Sequence, residues 1–172
     1  MDFSVNDETS KLISVIIGIA NDMGETPNID DLYDPKSIQN LKLGNYPLES
    51  NMVIELENFS NILIKHGVNV FRPNNIKNCN QIFARDVGFV INNFFFKSHI
   101  LPKRDKEYFG IKSIVETFNG QVVNIPEKIH VEGGDVISTD NNIFIGFYDK
   151  FDYSELYTCL LYKSDAEDDS QC

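Results

Sequence analysis

Two acidic stretches decide how this chain is interpreted: Asn80–Ile91, which reads Asn-Gln-Ile-Phe-Ala-Arg-Asp-Val-Gly-Phe-Val-Ile, and Val131–Val136, which reads Val-Glu-Gly-Gly-Asp-Val. Each stretch places a carboxylate at the end of a strand-like run, beside residues that allow close backbone approach. A carboxylate suits a flat cation such as a guanidinium, because the two groups can form two parallel N–H···O bonds. Together the stretches predict a site for a planar cation.

The composition predicts one acidic globular domain. Its 172 residues are 42% hydrophobic and carry a net charge of −11, which argues against nucleic acid or an anionic membrane as a partner, since both require a basic face. There is no signal-peptide pattern, and the longest apolar run, 13–20, is too short to cross a bilayer. Three cysteines form neither a metal spacing nor an even disulfide set. We therefore expect a cytoplasmic protein without cofactor or metal; its oligomeric state is not indicated.

The apolar pattern predicts alternating strands, helices and hairpins. A β-branched run predicts the first strand, clustered turn formers predict a long loop, and two amphipathic stripes predict helices. Paired asparagines at 92 and 93 predict a hairpin turn, because asparagine tolerates the left-handed conformation. In chain order the predicted elements are strand 11–18, loop 21–49, a helix capped by Ser50 and ending at His66, strand 68–71, hairpin 87–97, helix 103–118, strand 122–125 and hairpin 135–147.

The order of these elements contains a weak internal repeat. Helix, strand and hairpin follow one another twice, and an acidic stretch stands just before each hairpin. Hairpins require antiparallel neighbours, which a purely parallel sheet lacks. An α/β fold built from β-β-α-β modules therefore explains the pattern better than a doubly wound sheet does.

The first acidic stretch has two interpretations. In the functional one, Asp86 binds a guanidinium, Phe83 stacks on its face, and Asn80 bonds to the rest of the ligand. In the structural one, Asp86 pairs with Arg85 or caps a turn, and Phe83 belongs to the core. The presence of the second acidic stretch shifts the balance toward the functional interpretation.

The second acidic stretch is more specific. Two glycines between Glu132 and Asp135 imply that another group approaches the backbone closely, or that a bulge redirects a side chain. Glu132 could orient a histidine, as the carboxylate of a nucleophilic triad does; the alternative is a turn with two solvated acids. A metal site made of these two acids, Asp86 and His130 is a further option, but no multi-histidine spacing supports it.

The pattern Asn-x-x-Phe-x-Arg-Asp at 80–86, followed by Glu-Gly-Gly-Asp at 132–135, resembles the signature of the guanidine-modifying superfamily of amidinotransferases, arginine deiminases and dimethylarginine hydrolases. The similarity runs from Lys11 to about Thr158 and is strongest to the bacterial amidinotransferase-like group. It implies a pentein-like propeller of five β-β-α-β modules, of which residues 1–158 form an incomplete N-terminal portion, and a small guanidine substrate such as arginine. Relatives usually have threonine where this chain has Ala84.

The resemblance also implies residue roles and a mechanism. Glu132 would be the catalytic carboxylate. Substrate-binding residues would be Asp86 for the guanidinium, Phe83 and Asn80 for the pocket, Asp135, and Arg104 (with Lys103 as its rival) for the substrate carboxylate. A cysteine thiolate would attack the guanidine carbon, a histidine would protonate the departing amine, and a second amine would take the amidino group. Two alternatives stay open: a guanidine hydrolase, in which water takes that group, and a non-catalytic binding module of the same fold.

The histidine and cysteine that this chemistry needs are absent from the expected places. In the family the histidine follows the second acidic stretch and the cysteine lies near the C-terminus. The chain's three histidines and its first cysteine therefore do not match: His66, His99, His130 and Cys79. From Cys159 onward the sequence resembles a translated sequencing adapter. We expect 159–172 to be a non-native or disordered tail, and the chain to be an inactive fragment.

Overall fold

The computed structural model describes residues 4–32, 35–118, 120–139 and 141–146, which form an α/β arrangement. The strands are β1 (Ser14–Ile16), β2 (Asn69–Phe71), β3 (Gly88–Ile91), β4 (Phe94–Lys97), β5 (Gln121–Asn124), β6 (Val136–Thr139) and β7 (Asn142–Ile145). The helices are α1 (Pro35–Lys42), α2 (Glu49–Lys65), α3 (Ala84–Val87) and α4 (Glu107–Glu116). Short 3₁₀ turns lie at Ile29–Asp31, Pro102–Arg104 and Gly133–Asp135. The tail predicted at 159–172 lies outside the described residues.

One β-β-α-β module is complete. Strands β3 and β4 form an antiparallel hairpin in which Phe89 lies opposite Phe96, and β5 joins β4 in parallel after the crossover through α4. Asn92 in the hairpin turn has a φ of 51°, the left-handed conformation that the asparagine pair predicts. The predicted hairpin and the modular α/β order are confirmed for this part of the chain.

The other strands form two smaller sheets. Strands β1 and β2 pair in parallel with α2 between them in sequence, and β6 and β7 form a second antiparallel hairpin. The described residues thus contain three separate sheets and no closed ring of strands. The α/β class is confirmed, whereas the ring of five modules stays a prediction. Within the described ranges, no helix combines the length and apolar character needed to span a bilayer.

The structure corrects two expectations for residues 21–66, one about the predicted loop and one about the start of the helix that follows it. The loop predicted at 21–49 contains helix α1, which begins at Pro35; proline suits this first helical position because its missing N–H is not needed there. Helix α2 begins at Glu49 with Leu48 as its N-cap, so Ser50 lies inside the helix and does not cap it. The predicted end is confirmed, since Gly67 follows α2 with a φ of 80°.

Two further corrections concern the acidic stretches. Asp86 lies on the one-turn helix α3 that precedes β3, not at the end of a strand. The helix predicted from Lys103 begins later, at Glu107, because Pro102–Arg104 forms a separate 3₁₀ turn. Both changes place charged residues on short helical turns at the edge of the complete module.

The core lies on both faces of the complete module. One cluster joins the β3–β4 hairpin to the second acidic stretch; its buried members are Phe89, Ile91, Phe96, Ile129, Val131 and Val136. The other cluster packs α4 against the opposite face; its buried members are Val87, Phe95, Ile111 and Val115. Because β6 contributes Val136 to the first cluster, the second acidic stretch is held against the module that carries the first.

Candidate active site

A buried glutamine, Gln81, fixes the chain just before Asp86, the acidic residue of the first stretch. The side-chain carbonyl of Gln81 accepts the N–H of Ile76 at 2.8 Å, and its amide donates to the carbonyl oxygen of Asn74 at 3.0 Å. The backbone carbonyl of Gln81 also accepts the N–H of Ile19 at 3.1 Å. Since Gln81 is buried, these bonds are shielded from water and hold the entry to α3, which carries Asp86.

The two glycines of the second stretch allow it to touch the first. A Cβ atom added at Gly133 would overlap the backbone carbonyl oxygen of Arg85, and one added at Gly134 would lie 2.8 Å from the Asp86 carboxylate. Neither position has room for a larger residue without movement of its neighbour. The predicted close approach at the paired glycines is confirmed, and the approaching group is the first acidic stretch itself.

Arg85 ties the two stretches together through backbone carbonyls. Its Nε donates to the carbonyl oxygen of Gly133 at 2.8 Å, and its Nη2 donates to that of Val136 at 2.6 Å. The same guanidinium pairs with Glu8 at 2.8 Å. The alternative interpretation, in which Arg85 pairs with Asp86, is therefore wrong; Arg85 faces the second stretch and the N-terminal segment instead.

Three carboxylates surround the guanidinium of Arg104. Its Nη2 donates to Asp86 Oδ2 at 3.1 Å, and its Nη1 lies 3.3 and 3.2 Å from the two oxygens of Glu132. Its Nε and Nη2 donate to the two oxygens of Glu107 at 2.7 and 2.9 Å. Asp86 and Glu132 thus converge on one planar cation. In this structure that cation is a side chain of the chain itself.

Asp86, Glu107 and Glu132 form an acidic cluster around Arg104, and burial determines its electrostatics. Loss of hydration raises the pKa of Glu107, and the bonds to Arg104 oppose this shift. Burial likewise raises the pKa of Glu132; Arg104 opposes the shift, while the charges of Asp86 and Asp135 add to it. Both carboxyls therefore hold their protons more tightly than isolated glutamates do, and the charge of Arg104 favours their ionised forms.

The remaining predicted site residues lie near the cluster in different environments. Phe83 is 56% exposed just before α3, so it is not a core residue. Asn80 is half-buried, and its Oδ1 accepts the N–H of Ile82 at 3.1 Å. Asp135 is exposed at the end of the 3₁₀ turn.

The role of Arg104 in binding a substrate carboxylate stays a prediction; in the structure its guanidinium contacts the carboxylates of Asp86, Glu107 and Glu132. Its side chain is 11% exposed and is directed at the three carboxylates, because Pro102–Arg104 forms a turn that points it toward Glu107. Its rival, Lys103, is exposed. The sequence analysis missed Glu107, which is 5% exposed. The three-residue spacing from Arg104 was the available signal, since residues so spaced are neighbours on a helical turn.

The histidines and the described cysteine do not complete the acidic cluster. His66 caps the end of α2, and the rings of His99 and His130 stack on each other with centroids 4.3 Å apart. Cys79 is buried, and loss of hydration raises its pKa, so its thiol is poorly suited to act as a nucleophile. Among the described residues, no group of three or more acidic, histidine or cysteine side chains is arranged to hold a metal ion.

Comparison of sequences gives a short similarity. No protein-family model matches the chain. An uncharacterised protein of Bacillus subtilis (strain 168), YkgA, is 34% identical over 79 residues, which are 44% of this chain and 27% of that protein. The similarity is too short to assign a family by sequence alone.

Comparison of structures covers most of the chain. SxtG, an amidinotransferase from Microseira wollei in the saxitoxin biosynthetic pathway, aligns with 94% of this chain at a TM-score of 0.68 and 14% identity. The N-terminal domain of ArgZ, a cyanobacterial arginine dihydrolase, aligns with 88% at a TM-score of 0.66 and 18% identity. This chain shares its fold with SxtG and with the ArgZ domain. It spans only 59% of the SxtG chain and 55% of the ArgZ chain.

A third structure of the same fold class is more distant. The inosamine-phosphate amidinotransferase StrB1 from Streptomyces griseus aligns with 83% of this chain and 50% of its own, at a TM-score of 0.50 and 16% identity. The structures that share this fold thus include two amidinotransferases and an arginine dihydrolase domain. The resemblance that the two acidic motifs predict is confirmed at the level of the fold.

Proposed function

We propose that this chain supplies the carboxylate side of an active site that modifies the guanidine group of arginine or a related compound. One observation carries the proposal: Asp86 and Glu132 come from two separate acidic stretches and reach the two terminal amino groups of a single guanidinium, that of Arg104. A site that holds one guanidinium in this way has the donor–acceptor geometry to hold another. The names of the structural neighbours support the same substrate class.

In the proposed site each predicted residue has a distinct task. Glu132 acts as the catalytic carboxylate that stabilises and orients the guanidinium together with Asp86. Exposed Phe83 stacks on the planar face of the substrate, and Asn80 and Asp135 line the pocket. The carboxylates work chiefly by positioning and electrostatic stabilisation, which are large effects in a site partly shielded from water.

The proposed chemistry is covalent. A cysteine thiolate forms a C–S bond to the guanidine carbon, the C–N bond to the departing amine breaks, and a histidine gives that amine its proton. When ornithine is the departing amine, an amidino group remains on sulfur and passes to a second amine; when ammonia departs, an alkylthiouronium remains on sulfur and water releases it as citrulline. We propose that the thiolate and the histidine belong to modules beyond residues 1–158 of a five-module propeller, so that this chain alone binds the substrate poorly and does not turn it over.

Amidino transfer and hydrolysis are the two candidate reactions. SxtG and StrB1 are named as amidinotransferases, whereas ArgZ is named as an arginine dihydrolase, and each shares the fold of this chain. We favour amidino transfer. Product analysis of the whole protein with arginine separates the two reactions: formation of ornithine together with an amidinated acceptor supports transfer, and release of citrulline or ammonia supports hydrolysis.

Binding of arginine to this chain tests the proposed site directly. We expect Asp86→Asn and Glu132→Gln each to weaken arginine binding about tenfold or more in calorimetric titrations, since a hydrogen bond to a charged group contributes roughly 1.5–3 kcal/mol. Glu57→Gln is the matched control, because Glu57 pairs with Arg72 away from the acidic cluster. Equal arginine affinity in all three variants would contradict the proposed site and would favour a non-catalytic binding module.

A further inference from the structure

The guanidinium of Arg104 is bound differently on its two sides. Toward α4, Nε and Nη2 form a fork with the two oxygens of Glu107 at 2.7 and 2.9 Å. On the other side, Nη2 lies 3.1 Å from Asp86, and Nη1 lies 3.3 and 3.2 Å from the oxygens of Glu132. Charge-assisted bonds are usually about 2.7–2.9 Å long, so the bonds to Glu107 are normal and the others are long.

Burial separates the two sides in the same way. The Glu107 side chain is 6% exposed, and a carboxylate at such a position is strongly unfavourable without a charged partner. The side chains of Asp86 and Glu132 are 22% and 32% exposed, so water or a ligand can replace their bonds to Arg104. Arg104 is therefore anchored by Glu107 and held only loosely by the other two carboxylates.

The charges of the cluster leave room for a second cation. Each of the three carboxylates carries one negative charge when ionised, and Arg104 supplies one positive charge. Asp135 adds a further negative charge close enough to act on Glu132. Asp86, Glu132 and Asp135 are all more exposed than Glu107. The excess negative charge therefore lies on their side of Arg104, which an external cation reaches first.

We propose that Arg104 is a built-in guanidinium occupant of the substrate site. Anchored by Glu107, it covers the carboxylate oxygens of Asp86 and Glu132 that an external guanidine uses, and a guanidine binds by replacing these long bonds while Arg104 stays on Glu107. This inference rests on the proposed function, because it requires Asp86 and Glu132 to be the guanidine site. Arg104 then makes the site selective. A ligand displaces Arg104 from Asp86 and Glu132 only if the ligand has planar donors that replace the bonds to both carboxylates.

The built-in occupant lowers the apparent affinity of the site. If Arg104 covers the two carboxylates nine-tenths of the time, an external guanidine binds about tenfold more weakly than to an open site. Removal of the Arg104 side chain should restore that affinity. It should also leave Glu107 without its cation, so that an added guanidinium stabilises the variant more than it stabilises the wild type.

The test compares N-ethylguanidinium with ethylammonium at constant ionic strength, by calorimetric titration and thermal unfolding of the 172-residue chain. We expect Arg104→Ala to bind ethylguanidinium about tenfold more tightly than the wild type, and ethylammonium with little gain. Arg72→Ala is the matched control, because Arg72 contacts Ser60 and Glu57 outside the cluster; it should bind both ligands as the wild type does. Adding Asp86→Asn to Arg104→Ala should remove the gain.

The outcomes separate the inference from the proposed function. If the wild type binds ethylguanidinium and Arg104→Ala binds it no better, the inference is wrong and the proposed function stands. If neither binds it, both are wrong. A gain in Arg104→Ala that persists after Asp86→Asn would place the ligand elsewhere and would also overturn the inference.

Arg104→Lys provides the test if Arg104→Ala does not fold. Lysine keeps a positive charge beside Glu107 but lacks the planar fork, so the variant should bind ethylguanidinium more tightly than the wild type does. Equal affinity would count against the inference. In the wild type, the NMR signals of the Arg104 Nη groups should move on addition of ethylguanidinium. The signal of the Arg104 Nε–H, which donates to Glu107, should be retained. Loss of the Nε–H signal would show that Arg104 leaves Glu107 as well and would contradict the proposal.

Discussion

Helices α2 and α4 both connect parallel strands, yet they differ sharply in burial. Helix α4 has ten residues, of which Glu107, Gly110, Ile111 and Val115 are buried. Helix α2 has 17 residues, and only Ser60 is buried. Four large apolar side chains of α2 are instead about half exposed: Ile54, Phe59, Ile62 and Ile64.

The difference follows from the sheets that the two helices cross. Helix α4 packs on the three-stranded sheet β3-β4-β5, whereas α2 accompanies only the pair β1-β2. A wider sheet offers more apolar surface, and a helix gains most of its stability from such packing. Of the two units, the complete module is therefore the better packed; Arg104 and Glu107 lie in its crossover, and Asp86 lies on α3 directly before β3. Packing of this kind helps the side chains that it supports to keep their geometry.

The strongest test of this comparison is a matched pair of phenylalanine substitutions. Phe96 is 2% exposed and stacks on Phe89 at 5.1 Å, so Phe96→Ala should lower the free energy of unfolding by about 3–5 kcal/mol. Phe59 on α2 is 49% exposed, and Phe59→Ala should change the free energy of unfolding by only about 0.5 kcal/mol. Urea unfolding followed by circular dichroism measures both. Equal losses would show that α2 is as well packed as α4.

The second comparison concerns two arginines. Arg104 lies among three carboxylates in the complete module, and Arg104→Ala should cost about 3 kcal/mol, since it leaves the buried Glu107 without a partner. Arg72 pairs with Glu57, whose side chain is 56% exposed, and donates to the hydroxyl of buried Ser60 at 2.6 Å, so Arg72→Ala should cost about 1–2 kcal/mol, less than Arg104→Ala. Urea midpoints of the two variants give the difference. A smaller loss for Arg104→Ala than for Arg72→Ala would show that the acidic cluster is solvated.

A third comparison uses two glycines that differ in what surrounds them. Gly133→Ala should cost about 1–3 kcal/mol, because the added methyl group meets the backbone carbonyl of Arg85. Gly67 follows α2 with a φ of 80° and open space around it, so Gly67→Ala should cost about 1–2 kcal/mol through backbone strain alone. Both variants lose stability, but only Gly133→Ala should also weaken arginine binding, since it separates the two acidic stretches. Equal arginine affinity in both would contradict this.

The sequence was most informative where local chemistry decides structure. Two apolar runs on either side of the asparagine pair at 92 and 93 predicted the β3–β4 hairpin, and the stripe containing Ile111 and Val115 predicted α4. The paired glycines predicted a close approach, which the contact of Gly133 with Arg85 confirms. These features depend on a few neighbouring residues, and such residues can be identified without the rest of the fold.

The sequence was least informative where partners lie far apart in the chain. Arg104 was assigned to a substrate carboxylate because a basic residue in that segment has this role in the family. That role stays untested, but two of the carboxylates that Arg104 contacts in the structure, Asp86 and Glu132, are 18 and 28 residues away, and only the packing of three elements brings them to it. Glu107 was missed for a related reason: its burial depends on how α4 sits on the sheet, which its helical position alone does not determine.

The last comparison, with the smallest expected change in stability, sets the pH dependence of the acidic cluster against that of Asp7 in the N-terminal segment. Burial raises the pKa of Glu107 and Glu132 above the ordinary value of 4.5, so the folded chain takes up protons before the unfolded chain does. The free energy of unfolding should therefore rise as the pH is lowered from 7 toward 4.5. Hydrogen bonds from Ser10 and Thr9 lower the pKa of Asp7 to about 2, so its contribution is lost only as the pH falls below about 3.8.

Arginine binding should follow the opposite course over the first of these ranges. Protonation of Glu132 removes an acceptor for the guanidinium, so arginine affinity falls while stability rises. Glu132→Gln should flatten part of the stability slope above pH 4.5, and Asp7→Asn should change only the slope below about 3.8. Urea unfolding and arginine titration in the same buffers measure both quantities. If stability and arginine affinity fell together on acidification, the carboxylates that bind arginine would not be the ones whose pKa is raised by burial. The acidic cluster would then not be the arginine site.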